Sequence, residues 1–134
     1  MTAQPTGTVT LLFTDVEGST RLLRRLGGQR YADALGLHRR LLREAFERYG
    51  GYEVDNEGDS FFVAFAQATA AVAAASEGQE ALARAEWPDG EAFPVRMGIH
   101  TGEAIAEPPT YVGLDADVVC YANQTTSRGY EMGT

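Results

Sequence analysis

Two acidic residues, Asp15 and Asp59, each stand where an apolar stretch of the sequence meets a glycine-containing turn. Asp15 follows the apolar and β-branched residues 9–13 and precedes Gly18, whereas Asp59 precedes the apolar residues 61–65. A carboxylate beside a buried strand is costly unless a partner compensates its charge. Because divalent cations such as Mg²⁺ take carboxylate oxygens as ligands, a shared metal ion would provide that compensation. The alternative for Asp15 alone is a structural role, in which its side chain caps its own turn.

The turn after Asp15 contains residues that are suited to binding an anion. Gly18 permits a tight turn, and Ser19 or Thr20 is predicted to cap the helix that begins at Arg21. The start of a helix presents backbone N–H groups that favour phosphate oxygens. We therefore expect a carboxylate-bound cation and a phosphate group to meet at this junction of strand, turn and helix.

A long amphipathic helix is predicted to follow, from Tyr31 to Tyr49, because apolar residues recur on one face of it. Gly50 and Gly51 are expected to end this helix as a left-handed C-cap. His38 lies within the apolar face, where a packed, hydrogen-bonded histidine is a better interpretation than a metal ligand.

The second half of the sequence reads as two hairpins, a helix and a final short strand. The predicted elements are a hairpin at residues 52–65 with Gly58 in its turn, an alanine-rich helix at 67–85, a second hairpin of strands 95–100 and 103–106 closed at Thr101-Gly102, and a short strand from Tyr111 after a break at Pro108-Pro109.

The predicted order β-α-α-β-β-α-β-β is not the strict alternation of a doubly wound parallel sheet. It favours an α+β sandwich, in which helices pack on one face of a mostly antiparallel sheet. In this fold the strand that ends at Asp15 lies beside the 52–65 hairpin, so Asp15 and Asp59 converge at one edge. Two carboxylates beside a phosphate-binding turn are typical of two-metal catalysis of in-line attack at phosphorus.

Composition limits the partners of this chain. Its 134 residues, of which 44% are hydrophobic, suffice for one domain with a core. The net charge of −8 argues against binding to nucleic acid or anionic membranes, and no stretch resembles a membrane span or a signal peptide. The single cysteine, Cys120, excludes an internal disulfide and favours a reducing cytoplasm. All eleven basic residues are arginine, so any role that requires lysine has no candidate.

Four ordered blocks of sequence stand out. They are Phe-Thr-Asp-Val-Glu-Gly-Ser-Thr at residues 13–20, Glu-Gly-Asp-Ser-Phe-Phe at 57–62, Arg-Met-Gly-Ile-His-Thr-Gly at 96–102 and Tyr-Val-Gly at 111–113. Together they resemble the class III nucleotidyl cyclase domain, in its bacterial adenylate/guanylate cyclase branch. The resemblance covers residues 7–115, and the ordered set is far more specific than any single block. It divides the chain into an N-terminal tail (1–6), a cyclase-like domain (7–115) and a divergent tail (116–134).

The resemblance implies a ferredoxin-like cyclase sandwich with two groups of site residues. The implied metal ligands are Asp15, Asp59 and the backbone carbonyl of Val16, and the implied phosphate-binding amides are those of Gly18, Ser19 and Thr20. The resemblance also implies two Mg²⁺ or Mn²⁺ ions per site and a homodimer, or a heterodimer with another cyclase domain, with active sites at the subunit interface. The implied reaction is attack of the ribose 3′ hydroxyl of ATP, with GTP as the alternative, on the α-phosphorus, which releases pyrophosphate.

The positions that would recognise the base and stabilise the transition state depart from the family pattern. Asp55 stands where many members have a purine-recognising lysine, and Thr110 falls near the second such position. The position of the catalytic arginine holds Tyr121, and the asparagine position before it holds Asp117. Asn123 and Arg128 are nearby, but their spacing is wrong for one helical face. The resemblance further implies C-terminal strands with a triphosphate-binding lysine, which we expect this chain to lack.

The end of the resemblance near Asp115 has two interpretations, a truncation or frame change in the coding region and a genuine but divergent tail. Residues 123–130 have no useful apolar period, so we expect a loop or disorder there.

Two functions remain open on this reading. The preferred one is a nucleotidyl cyclase domain that uses magnesium or manganese in intracellular signalling. The other is a non-catalytic cyclase-like module that binds metal–nucleotide, or only dimerises, and regulates another protein. Fold alone cannot choose between them.

Overall fold

The computed structural model describes residues 3–56, 58–88, 90, 93–108 and 110–112. The elements, in chain order, are β1 (Gly7–Val16), α1 (Ser19–Leu26), α2 (Gly28–Arg48), β2 (Tyr52–Asp55), β3 (Phe61–Phe65), α3 (Ala68–Arg84), β4 (Val95–Glu107) and β5 (Thr110–Val112). The α+β class is therefore confirmed, and the order of the elements agrees with the prediction as far as α3.

The sheet has the strand order β2-β3-β1-β4-β5, and all neighbouring strands are antiparallel. The central strand, β1, pairs with β3 through partners such as Thr14 and Phe61. On its other side it pairs with β4, where Asp15 faces Arg96. The strand that carries Asp15 thus lies beside the β2–β3 hairpin, as the sequence predicts.

Side chains of β1 alternate between two buried faces of the sheet, as the pleat of a strand requires. Leu12 and Val16 point to the face covered by the helices, in one cluster with Leu42 of α2 and Leu82 of α3. Leu11 and Phe13 point to the opposite face and join a second, smaller cluster. Because both faces of β1 are buried, the position of the carboxylate at its end is firmly fixed.

The strand β4 corrects one prediction. Residues 95–100 and 103–106 are not the two arms of a hairpin; they belong to one continuous strand. Thr101 and Gly102 do not turn, because they pair with Thr10 and Val9 of β1. The Thr10 and Thr101 hydroxyls also share a hydrogen bond of 2.8 Å.

A hairpin does form further along the chain, where β4 pairs with β5. β4 ends at Glu107 and β5 begins at Thr110, and the chain turns at Pro108 between them. The short strand expected from Tyr111 is present, as part of β5.

The helix ends agree with the sequence in one case and differ in two. Gly50 has a φ of 79°. The N–H of Gly51 donates to the Phe46 carbonyl at 2.8 Å, which confirms the predicted C-cap of α2. The same helix begins at Gly28, earlier than the predicted Tyr31, because Gly27 already provides the break with a φ of 84°.

The predicted capping of α1 by Ser19 or Thr20 is wrong. The N-cap of α1 is Gly18, in the left-handed conformation with a φ of 66°, and both Ser19 and Thr20 lie inside the first helical turn. A left-handed backbone is accessible to glycine without steric cost, so Gly18 sets the direction of the turn by its conformation alone.

Several predictions from the sequence lie outside the described residues. They concern the tail at 116–134, with its loop at 123–130, and the positions Asp117, Tyr121 and Arg128. The domain boundaries at residues 6 and 115 also stay predictions.

Candidate functional site

Asp15, near the end of β1, is held by Arg96 of β4. The two residues are direct partners in the antiparallel ladder, so their side chains project from the same face of the sheet. Nε of Arg96 donates to Oδ1 of Asp15 at 2.9 Å, and Nη2 donates to Oδ2 at 2.7 Å. The side chains of Arg96 and Asp15 are 19% and 27% exposed. This is a bidentate, partly buried ion pair and not a loose surface contact.

The surroundings of Arg96 are strongly acidic. Hydrogen bonding to Asp15 raises the pKa of Arg96, although partial burial lowers it. The negative charges of Asp15, Glu17 and Asp59 raise the same pKa further. The guanidinium therefore lies within the electrostatic reach of all three carboxylates.

Asp59 approaches from the helix side of the sheet, in the turn before β3. Gly58 has a φ of 56°, which shapes this turn, and Arg39 of α2 donates a hydrogen bond to the Gly58 carbonyl. Extending the pairing of Thr14 with Phe61 by two residues brings Asp59 opposite Val16. The register thus places Asp15 and Asp59 at the same end of the β1–β3 pair, and the charge of Asp59 acts on Arg96.

Val16 and the turn after it connect the carboxylates to α1. The Val16 side chain is 3% exposed and packs in the larger core cluster, which fixes the backbone at the end of β1. The N–H of Glu17 donates to the Pro94 carbonyl at 2.7 Å. After Gly18, the Leu22 N–H donates to the Gly18 carbonyl at 3.0 Å, so the intrahelical ladder starts there. The first N–H groups of a helix have no intrahelical acceptor, which leaves the start of α1 suited to an anion.

Tyr31 links the turn to Asp59. Burial raises the pKa of its hydroxyl, and the charge of Asp59 raises it further. A side-chain hydrogen bond with Ser19 and the charge of Arg39 act in the opposite direction and lower that pKa. The Tyr31 ring packs against Phe93, with the ring centroids 5.8 Å apart. The hydroxyl therefore lies between the α1 start and the second carboxylate.

His38 has the packed role that the sequence predicts. Its side chain is fully buried, with its ring about 6.0 Å from those of Phe61 and Phe93. Burial lowers the pKa of His38 to about 4, and the Leu35 backbone and the charge of Asp59 offset only part of this effect. Neither ring nitrogen has a hydrogen bond of ordinary geometry. His38 is therefore packed as expected, but the expected hydrogen bond is not present in that form.

The two predicted base-recognition positions lie on the outer strands of the sheet, β2 and β5. Asp55 ends β2, and its exposed carboxylate accepts the Asn56 N–H at 2.8 Å. Thr110 pairs with Glu107, at the opposite end of β4 from Arg96. Extended chain of that length spans about 35 Å, so Thr110 is remote from the Asp15 end of the sheet within one chain. Tyr121, the position of the catalytic arginine, lies outside the described residues.

The donor set fits a hard divalent cation. Among the described residues, no group of three or more His, Cys, Asp or Glu side chains is arranged to hold a metal. The candidate site offers two carboxylates and a backbone carbonyl, all oxygen donors of the kind that Mg²⁺ prefers, and Mg²⁺ usually keeps several waters. The guanidinium of Arg96 shows that a positive charge is already accommodated against Asp15.

A cavity of about 430 Å³ lies elsewhere, at the β2 edge of the sheet. It is lined by residues that include Arg43, Phe46 and Glu53, and none of the predicted site residues contributes to it. Arg43 and Glu53 already form a bidentate pair, at 2.9 and 3.0 Å.

Sequence reasoning missed Arg39, Arg96 and Tyr31. Arg39 and Tyr31 lie on the predicted amphipathic helix, where nothing in the sequence distinguishes them from other residues of that helix. Arg96 lies inside one of the four sequence blocks, and its place in that block was the available signal.

Comparison with known proteins decides the family. The family model for the adenylate and guanylate cyclase catalytic domain matches residues 1–131. The chain belongs to this family. The matched range includes part of segment 116–134, which the four sequence blocks do not cover.

The curated relatives of this cyclase-family chain are fungal and trypanosomatid proteins. An adenylate cyclase of Mycosarcoma maydis is 36% identical over an alignment 124 residues long, and the match covers 78% of this chain and 5% of that protein. The receptor-type adenylate cyclase B of Leishmania donovani is 46% identical over 79 residues, 59% of this chain and 6% of that protein. The chain thus spans a small part of the relatives it matches, and they do not support the bacterial branch.

Solved structures agree with the family. A structure of adenylate cyclases from Trypanosoma brucei in their monomeric state has a TM-score of 0.76 and 30% identity, and the match covers 87% of this chain and 68% of that chain. The monomeric guanylyl cyclase domain of the RhoGC fusion protein of Blastocladiella emersonii has a TM-score of 0.79 at 19% identity, covering 93% and 79% of the two chains. At that identity the second comparison shows the fold alone.

None of the helices in the described part of the chain combines the length and apolar character that a membrane crossing needs.

Proposed function

We propose that this chain is a nucleotidyl cyclase domain that contributes the metal-binding and phosphate-binding half of an active site. The substrate is ATP, with GTP as the alternative, and the products are the 3′,5′-cyclic nucleotide and pyrophosphate. The observation that carries the proposal is the placement of Asp15 and Asp59 at one end of the sheet, beside the start of α1, with both charges acting on Arg96. Family membership supports the reaction class.

The residues have distinct roles in this proposal. Asp15, Asp59 and the Val16 carbonyl hold Mg²⁺ or Mn²⁺, two ions per site, and the N–H groups at Gly18, Ser19 and Thr20 bind phosphate oxygens. The bound metal would neutralise phosphate charge and lower the pKa of the attacking hydroxyl. Tyr31 and Arg39 keep the turn and the second carboxylate in place.

The other half of the site is proposed to come from a different cyclase domain in a heterodimer, because a second copy of this chain in a homodimer would supply the same residues again. Asp55 and Tyr121 stand where the family resemblance implies a lysine and an arginine, and neither carries a positive charge, so this chain is a poor source of those two roles. A guanylate cyclase domain from Catenaria anguillulae was solved with GTP, and a RhoGC domain in a non-canonical dimeric form, which makes nucleotide binding and dimerisation reasonable here. The single cysteine supports a cytoplasmic location.

The absence of lysine from the whole sequence favours a second candidate function. In it the chain is a non-catalytic cyclase-like module, which binds metal–nucleotide or dimerises and thereby regulates a partner. Under both proposals the purified chain alone should cyclise nucleotide slowly or not at all, since loss of one preorganised charge-stabilising group costs about 10² to 10³ in rate.

A complementation assay separates the two. The chain is mixed with a related cyclase domain whose two metal-binding aspartates are changed to asparagine, and cyclic nucleotide production is measured. Activity of the mixture, lost when this chain carries Asp15→Asn, is expected for the cyclase. Heterodimers that native mass spectrometry detects but that remain inactive would contradict a functional metal half and favour the regulatory module.

A further inference from the structure

The pairing of Arg96 with Asp15 uses both oxygens of a carboxylate that the proposed function assigns to a metal ion. Nε and Nη2 of Arg96 donate to Oδ1 and Oδ2 of Asp15 at 2.9 and 2.7 Å. With side chains 19% and 27% exposed, the pair is shielded from full solvent screening. A guanidinium and a divalent cation repel each other, so they cannot both contact this carboxylate closely without a cost.

A second carboxylate lies within reach of the same guanidinium. Asp15 pairs with Arg96 and Val16 with Val95, so Glu17 continues the register opposite Pro94. The hydrogen bond from the Glu17 N–H to the Pro94 carbonyl, 2.7 Å, holds the two strands together at this point. Glu17 is therefore a diagonal neighbour of Arg96, at a separation that a long side chain spans. Its side chain is exposed, whereas Asp15 is half-buried.

We propose that Arg96 occupies the place of the cation on Asp15 in the metal-free site, and that it turns to Glu17 when a divalent cation binds. This inference rests on the proposed function, because it requires a metal on Asp15 and Asp59. Arg96 acts here as a positioning residue. It keeps the Asp15 carboxylate neutralised and in place before the cation arrives, and its release to Glu17 lowers the cost of metal binding.

Metal binding without nucleotide tests this exchange directly. Mn²⁺ affinity is measured from the electron paramagnetic resonance signal of the free ion, for the wild type, Arg96→Gln and Arg43→Gln. Arg43 is the matched control, because it forms the same bidentate pair with Glu53 away from the site. Arg96→Gln should tighten Mn²⁺ binding about three- to tenfold, the range expected for a partly exposed charge pair, whereas Arg43→Gln should change it much less.

Glu17 is tested through a double-mutant cycle. Glu17→Gln alone should weaken Mn²⁺ binding, because Arg96 then loses its alternative partner. In the Arg96→Gln background the same change should have little further effect. An equal weakening in both backgrounds would show that Glu17 acts by its own charge and would overturn its role as acceptor.

The remaining outcomes separate the exchange from the metal site. If Mn²⁺ binding depends on Asp15, as Asp15→Asn reveals, but Arg96→Gln leaves it unchanged or weaker, the exchange is overturned and the metal site stands. If no variant binds Mn²⁺, or if Asp15→Asn binds normally, both are overturned. Should Arg96→Gln unfold, Arg96→Lys replaces it, since lysine cannot reproduce the bidentate pair, and Mn²⁺ binding as weak as in the wild type would overturn the exchange.

Discussion

The ring of Phe13 lies directly over Gly98, its partner in the β1–β4 ladder. A Cβ atom added at Gly98 would lie 2.3 Å from Cζ of Phe13, far inside van der Waals contact. The next pair on the same face, two residues along each strand, is Asp15 with Arg96. Close packing at Phe13 and Gly98 therefore sets the spacing of the two strands just before they present the ion pair.

Gly98→Ala should destabilise the fold by about 1 to 3 kcal/mol, because the Phe13 ring must leave its present position. Denaturant unfolding at constant pH measures this change. Gly36→Ala is the control, since Gly36 lies within α2 and a Cβ there meets nothing within 4 Å. That control should be stabilising by roughly 0.5 to 1 kcal/mol, the usual gain for alanine in a helix. Equal stability of Gly98→Ala and the wild type would contradict the packing argument.

Asp15→Asn or Asp59→Asn should abolish the binding of Mn²⁺ together with nucleotide, because each removes one of the two charged oxygen donors. Isothermal titration calorimetry of the purified chain with Mn²⁺ and a non-reacting ATP analogue measures this binding. Asp33→Asn is a suitable control, since Asp33 is exposed and only pairs with Gln29 on α2, at 3.0 Å. Normal binding in both site variants would leave Asp15 and Asp59 as structural residues.

Arg39→Gln should weaken Mn²⁺–nucleotide binding, because Arg39 anchors the turn that carries Asp59 through the Gly58 carbonyl. The measurement is the same titration, with thermal unfolding as a check that the fold persists. Arg40→Gln, on the next residue of α2, is the control, as Arg40 makes only a distant contact of 3.9 Å with Glu44. Equal binding by the two variants would show that the turn holds its conformation without Arg39.

His38 should make the protein less stable in acid. Its pKa is about 4 in the folded chain, below its ordinary value of 6.5, so the unfolded chain binds the proton more readily. The stability linked to neutral His38 is fully present above pH 6.5 and is lost as the pH falls towards 4. Between pH 7.5 and 4.5 the loss should be roughly 2 to 3 kcal/mol. Denaturant unfolding of the wild type and His38→Gln at both pH values measures it, and equal acid sensitivity of the two would contradict the prediction.

The sequence predicted the fold well because its local signals agree with its long-range ones. Residues 9–13 are apolar and β-branched, and the structure buries them in the central strand. The pair Gly50 and Gly51 marks the C-terminal end of α2 in both the sequence and the structure. The prediction divided β4 into two strands because Thr101 and Gly102 have local turn propensity. In the structure their pairing with β1 determines their conformation and keeps the strand continuous.

The site was predictable in part. An acid beside an apolar strand is visible in the sequence, so Asp15 and Asp59 could be proposed from it, and their role as metal ligands stays a prediction. The positions of Arg39 and Arg96 depend on which strands and helices become neighbours. Charged residues at regular spacing reveal no partner by themselves, and only the three-dimensional register places Arg96 across from Asp15. The start of α1 was also predicted incorrectly. The sequence suggested that a serine or threonine side chain caps this helix, whereas the left-handed backbone of Gly18 forms the N-cap without a side-chain hydrogen bond.

The unbroken course of β4 constrains how its length can change. Because successive side chains alternate between faces, inserting or deleting one residue between Arg96 and Thr101 would turn one of them to the wrong side of the sheet. Arg96 would then lose Asp15, or Thr101 would lose its hydroxyl contact with Thr10. Length variation among related chains is therefore expected beyond Glu107, in the turn towards β5, where an added residue leaves the β1 pairing intact.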